Sequence, residues 1–124
     1  MTAFTELELA ALRSIFSETP ELASALEGQL AVATVTEREN SGGGFFTTIV
    51  VSDDAPRVSC PKVLGYETQA RVTGLEHGLG FVLFMEDGRP HLLEGFAWGP
   101  ESTVSLDFAV LKFEVYKQPM QRAS

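Results

Sequence analysis

Residues 81–98, FVLFMEDGRPHLLEGFAW, set two apolar runs on either side of Asp87-Gly88. Asp-Gly between such runs is the strongest short-range signal for a β-hairpin, because the tight turn that matches strand twist needs positive φ at both central residues. With those two residues as the turn, Glu86 pairs with Arg89, Leu83 with Leu92 and Phe81 with Glu94. Period-two alternation then puts Phe81, Leu83, Met85, Leu92, Glu94, Phe96 and Trp98 on one face and Val82, Phe84, His91, Leu93 and Ala97 on the other. Both faces are apolar in the middle, whereas a sheet with one wet side alternates cleanly. One more residue in the loop moves Glu94 to the face of Val82, Phe84 and Glu86, because a one-residue slip exchanges the two faces of a strand.

On the N-terminal side of this hairpin the periodicity is first helical. Leu9, Leu12, Ile15 and Phe16 recur at helical spacing, with Glu6 and Arg13 off the stripe. A second start follows, with Thr19 as N-cap, Pro20 in the first helical position, Glu21 near the positive end, and Leu22, Leu26 and Leu30 on one side. The helices are expected within about residues 3–30. From Ala31 the pattern alternates and β-branched and aromatic residues take over, which predicts strands near 31–39, 45–52, 67–73, 80–86, 91–98 and 103–116. Two helices followed by a run of strands predict a single α+β domain, the helices packed on a curved, mainly antiparallel sheet of five to six strands. The curvature is expected from a phase change in the last segment. Val104, Leu106, Phe108 and Val110 alternate in one phase and Leu111, Phe113 and Val115 in the other, which requires a bulge or bend near Val110 and Leu111. Residues 53–66, with two prolines, read as an irregular excursion, and the polar tail 117–124 as frayed.

Composition narrows the function classes. A chain of 124 residues has room for one core, and its 9 basic against 17 acidic side chains give a net charge of −8. That balance repels phosphate backbones and anionic membranes, so neither nucleic acid nor membrane is an expected partner. The first thirty residues are the most acidic part, with Glu6, Glu8, Glu18, Glu21 and Glu27 against Arg13 alone. The single Cys60 excludes an internal disulfide framework, and the acidic N-terminus lacks a signal peptide's basic start, so a cytoplasmic protein is expected.

No constellation in the chain has the spacing of a known catalytic centre. SGGGFF at 41–46 precedes a strand instead of opening a helix, which suits a hairpin connection and not a phosphate cradle, and the glycines of GLEHGLGF at 74–81 do not match a dinucleotide fingerprint. His77, His91, Glu76, Glu86 and Glu94 form no grouping with metal-ligand spacing, so no metal or cofactor is expected. Cys60 between Ser59 and Pro61 reads as a loop thiol unless His77 or His91 lies beside it. Glu37 and Glu39 share one side of a strand around Arg38, where charges next to a glycine loop face water.

QLAVATVTERENSGGGFFTTIVV (29–51) and GLEHGLGFVLFMEDGRPHLLEGFAWG (74–99) resemble small uncharacterised bacterial proteins that share a Gly-Phe-Phe-Thr strand and a Leu-Glu-Gly-Phe strand. The resemblance implies a standalone bacterial protein and transfers no activity. The positions here that match its pattern are Arg38, Phe45, Phe46, Glu76, Leu93, Glu94, Gly95 and Phe96.

The leading expectation is a non-enzymatic interaction protein in which a sheet face around Trp98, Phe96 and Phe81 forms a homodimer or docks a protein partner. Two alternatives stand beside it. One is a ligand-binding protein or enzyme whose bent sheet encloses a pocket where Glu94, His91 and Arg38 converge; the other is an immunity-type protein that neutralises a basic toxin through the acidic N-terminal helices.

Overall fold

The computed structural model describes residues 3–118. Two helices, α1 (Glu6–Ser17) and α2 (Pro20–Leu30), precede seven strands: β1 (Ala33–Asn40), β2 (Gly44–Val51), β3 (Val63–Leu64), β4 (Thr68–Val72), β5 (Leu79–Glu86), β6 (Arg89–Ala97) and β7 (Phe113–Lys117). The strands form one sheet in the order β1-β2-β6-β5-β4-β7, with β3 paired to β5 off this path, and every pairing is antiparallel. The α+β arrangement of two helices on a curved antiparallel sheet is therefore the one expected, with one short strand more. Of the expected frayed tail, Lys117 ends β7, the Gln118 amide donates to the Glu67 carbonyl, and residues 119–124 lie outside the described residues.

Helix α1 begins with a capping box. The Thr5 hydroxyl accepts from the Glu8 amide at 3.1 Å while the Glu8 carboxylate accepts from the Thr5 amide at 2.7 Å, so two orphan donors of the first turn are satisfied reciprocally. Its buried stripe is Leu7, Ala11, Leu12, Ile15 and Phe16, a face rotated slightly from the expected one, since Leu9 is only half-buried. Helix α2 starts at Pro20 behind Thr19, whose hydroxyl donates back to the Phe16 carbonyl and makes no forward cap. Helix α1 packs on β4, β5 and β7 and α2 on β6, so both lie on one side of the sheet. Between helices and sheet sit Phe16, Leu26, Ile49, Leu79, Phe81, Leu83 and Leu93, all at most 2% exposed.

The segment expected as one long strand over 103–116 divides in two. Residues 98–112 form a loop across the end of the sheet, and only 113–117 join a ladder, with β4. The phase change is a turn and not a bulge. The amides of Val110 and Leu111 both donate to the Asp107 carbonyl, and the Asp107 carboxylate takes the Ala109 amide. Val104 and Val110 consequently point to solvent, 75% and 76% exposed, while Leu106, Phe108 and Leu111 pack against the core. The loop is pinned at Thr103, fully buried, whose amide donates to the Gly42 carbonyl and whose hydroxyl donates to the Asn40 side chain.

The central hairpin turns where expected, with φ of 53° at Asp87 and 71° at Gly88 and Glu86 opposite Arg89. Beyond Pro90 the register differs from the expected one. Met85 faces Pro90 but Phe84 faces Leu92, so His91 is an extra residue in β6 and every later pair is shifted by one: Leu83 with Leu93, Val82 with Glu94, Phe81 with Gly95. Proline cannot donate to a ladder and is confined within sheets to edges, strand starts and bulges. Here the Met85 amide, on β5, donates to the Lys62 carbonyl at 2.7 Å. The bulge sends Glu94 to the face opposite Phe81.

Candidate interaction face and the buried ion pair

The shifted register sorts β2, β5 and β6 into a clean inner and outer face. Inward go Phe45, Thr47, Ile49, Leu79, Phe81, Leu83, Met85, Leu93 and Gly95, all buried; outward go Phe46, Thr48, Val82, Phe84, Leu92, Glu94 and Phe96, all half-buried. The outward set forms cross-strand rows. One runs Glu37, Thr48, Leu92, Phe84, Val63; the next Glu39, Phe46, Glu94, Val82; a third brings Phe96 over Gly80 beside Gln69 and Tyr116. No described segment lies over these rows, because the helices, the 53–62 excursion and the 98–112 loop contribute their buried residues to the helix side. The face is an apolar centre with a polar rim: Glu37 and Glu39 at the β1 edge, and Arg71 joined to Glu114 at 2.9 Å at the other.

The two motifs of the family resemblance meet here. Gly44 faces Phe96, Phe45 faces Gly95, Phe46 faces Glu94 and Thr47 faces Leu93, so Gly-Phe-Phe-Thr and Leu-Glu-Gly-Phe are the two sides of one ladder. Gly95, and Gly80 on the neighbouring strand, each make room for a cross-strand ring, while Gly44 lets the β6 backbone approach closely. A Cβ on Gly95 would lie 2.4 Å from the Phe45 ring on the inner face, and one on Gly80 would lie 2.5 Å from Phe96 and 2.9 Å from Trp98 on the outer face. Phe96 and Trp98 meet edge to face at 4.9 Å, and Trp98 remains 54% exposed. Phe81, expected on the partner surface, is instead 1% exposed in the core; the bulge that moved Glu94 outward left Phe81 inward.

Glu94 occupies the middle of the outer face with Phe46 on one side and Val82 on the other. Burial pushes its carboxyl pKa up, with no opposing cation to bring it back. His91 is the exposed bulge residue, its Nε2 3.3 Å from the Glu86 carboxylate. Arg38 lies on the other side of the sheet, opposite inward-facing Thr47. The expected convergence of Glu94, His91 and Arg38 is thus replaced by three separate placements.

Arg38, itself open to solvent on one side, makes the one ion pair among the described residues whose carboxylate is buried. Its Nε donates to Glu8 Oε2 at 2.8 Å and one Nη to Glu8 Oε1 at 2.7 Å, a bidentate fork, and the same Nη reaches the Ala3 carbonyl at 2.6 Å. Thr47 adds a hydroxyl at 2.6 Å to Glu8 Oε2. Glu8 is 3% exposed. Burial alone would raise its pKa, but the Arg38, Thr47 and Thr5 hydrogen bonds and the guanidinium charge outweigh burial and hold the carboxyl below its ordinary value. The pair borders a cleft of about 280 Å³ walled by Leu7, Phe45, Leu106 and Phe108. Both Glu8 carboxylate oxygens are engaged by Arg38, Thr47 and Thr5, so the pair fastens α1 to the β1–β2 hairpin.

The remaining candidates divide similarly. Glu18 accepts from the Glu67 amide and the Thr68 hydroxyl, so with Glu8 inside, the acidic helices present Glu6, Glu21 and Glu27, the last paired with exposed Arg13 at 3.3 Å. Cys60 and His91 do line one cleft, of about 540 Å³, with Lys62 and Glu86, but burial pushes the Cys60 thiol up and so disfavours the nucleophilic thiolate. The Glu76 and His77 amides both donate to the Glu101 carboxylate, which they hold below its ordinary pKa. Among the described residues no three His, Cys, Asp or Glu side chains are grouped to hold a metal ion, and no helix is long and apolar enough to cross a membrane. Compared with family models, with curated proteins and with solved structures, the chain matches none.

Proposed function

We propose that this protein acts by holding another polypeptide chain against the outer face of its sheet, and that it is a binding protein and not an enzyme. The observation that carries the reading is the outer face itself. Phe46, Val82, Phe84, Leu92 and Phe96, each half-buried, and half-exposed Trp98 are contiguous on adjacent strands on the side away from the helices. Contiguous exposed apolar area rimmed by polar groups marks interaction surfaces on soluble proteins, and a paired Trp and Phe supply the large rigid contacts that anchor them. The polar clusters favour the same reading, because the Glu8 carboxylate is taken up by Arg38, Thr47 and Thr5 and ties α1 to the sheet.

Site-specific photocrosslinking tests this in the cells that make the protein. A benzoylphenylalanine at Phe84, on the outer face, should give a discrete adduct with another polypeptide, and the same group at Glu21, on the helix side, should give none. No adduct from Phe84, or equal adducts from both positions, would overturn the reading.

A further inference from the structure

The outer face carries charge of one sign where it is most apolar. Its acids are Glu94 at the centre and Glu37 and Glu39 along the β1 edge, each directly opposite an outer-face residue of β2. Two arginines among the described residues are in register with it: Arg71 sits at the far edge, already joined to Glu114 at 2.9 Å and stacked 4.3 Å over the Tyr116 ring, and Arg89, beside the hairpin turn opposite Glu86, donates to the Asp53 and Ala55 carbonyls. Arg38 is on the other side of the sheet in the grip of Glu8, and His91 is beside Glu86. Glu94 has no hydrogen-bond or ion-pair partner among the described residues; its cross-strand neighbours are Phe46 and Val82, and Leu92 and Phe96 flank it along β6.

Any occupant of the face removes the remaining water from Glu94. Burying a carboxylate is strongly unfavourable unless a cation or several donors meet it, whereas a paired charge at the centre of an apolar interface fixes register and selects the partner. A second copy of the chain brings the wrong chemistry. It adds another net charge of −8 and presents its own Glu37, Glu39 and Glu94 to the same surface. Resting on the reading above, we infer that the occupant is a different protein, one presenting a lysine or arginine flanked by apolar side chains, with the cation on Glu94 and the flanking groups on Phe46, Phe84 and Phe96.

Three blocked tripeptides, Phe-Lys-Phe, Phe-norleucine-Phe and Phe-Glu-Phe, each N-acetylated and C-amidated, separate the possibilities when titrated into the full chain and followed by amide chemical shifts. Phe-Lys-Phe should move the resonances of Phe46, Val82, Leu92, Glu94 and Phe96 and bind about tenfold tighter than Phe-Glu-Phe, a difference of ~1.4 kcal/mol. Glu94→Gln should bring that ratio below about threefold and tighten binding of the norleucine peptide, which no longer strands an unpaired carboxylate. Equal binding of the lysine and glutamate peptides to the outer face overturns the basic partner and leaves the docking face standing; shifts confined to other surfaces, or no shifts with any peptide, remove both. Sedimentation equilibrium supplies the remaining arm: a dimer that Phe96→Asp dissociates makes the second copy the occupant and overturns the inference.

Discussion

Replacing Arg38 with methionine removes the cation that pairs with buried Glu8 while keeping most of the side chain's volume. The wild-type Glu8 carboxylate, 3% exposed, accepts two guanidinium hydrogen bonds at 2.7 and 2.8 Å, one from Thr47 and one from Thr5. The Thr47 and Thr5 donors survive Arg38→Met, but the charge that offsets desolvation does not. Removing one partner of a fully buried pair costs about 3–5 kcal/mol and of an exposed pair about 1 kcal/mol or less, so with Glu8 buried and Arg38 33% exposed the loss should be about 2–4 kcal/mol. For a domain of this size that is a fall in Tm of roughly 6–16 °C. The pH dependence identifies the mechanism. In the wild type the Glu8 pKa is lowered on folding, so its contribution is complete above the unfolded-state value, about 4.3, and is lost as pH falls through the folded pKa. Arg38→Met removes the guanidinium hydrogen bonds and charge that oppose burial, so the folded pKa of Glu8 rises relative to the wild type and acidification weakens the variant less than it weakens the wild type. The gap between them, measured by urea denaturation followed by circular dichroism, should therefore narrow from pH 7 towards the carboxylate range. Glu8→Gln combined with Arg38→Met, which leaves no charge to strand, should recover to within about 1–2 kcal/mol of the wild type. A loss below about 1 kcal/mol, the range of exposed pairs, or a gap that does not change with pH, would refute the argument.

Two further substitutions probe the outer face and the loop thiol. Gly80→Ala places a methyl group where the Phe96 ring lies, 2.5 Å from its edge, so it should destabilise by about 1–3 kcal/mol and shift Trp98 emission as the pair is displaced; unchanged emission and stability would mean the rings do not rest in that notch. Cys60→Ser, in a half-buried loop position with no hydrogen-bonding or metal role among the described residues, should change stability by less than about 0.5 kcal/mol and leave partner crosslinking intact, which a binding assay checks directly.

The architecture was legible because it rests on local signals. Pro20 starts α2, Asp87-Gly88 turns the hairpin, and the switch from helical to alternating periodicity marks where helices end and sheet begins. The misreadings have local physical causes. Val104, Leu106, Phe108 and Val110 alternate like a strand, yet Asp107 folds the chain into a turn and Thr103 ties it to Asn40, a residue 63 positions away. The register of β6 slipped at Pro90, and the proline was itself the available clue, since it could not sit in the ladder without a bulge or an edge. Of the candidate surface, Phe96 and Glu94 face outward beside exposed Trp98 and Phe81 faces the core, a division set by that one residue. Arg38 stood out in the sequence and Glu8 did not. The Thr5-x-x-Glu8 spacing of a capping box was visible, but the pairing across thirty residues is set by how α1 lies on the sheet.

The bulge also sets which kinds of sequence change this fold can absorb. Strand β6 is written in two phases, Arg89–Pro90 in one and Leu92 onward in the other, and His91 is the residue at which they join. Its side chain is exposed, so exchanging it alters one surface group. Losing it, with the turn kept at Asp87-Gly88, would reverse the strand beyond it, sending Glu94 toward the helices and Leu93 into water. Lengthening the turn offers no simple compensation, because Gly88 is already clasped by the Val58 amide and the Gln29 side chain, each donating to its carbonyl. Along this strand, then, divergence by substitution is open and divergence by length is closed, and a homologous chain that keeps the outer face should keep the residue count between the Asp-Gly turn and the Leu-Glu-Gly-Phe motif even where the residue at position 91 itself has drifted.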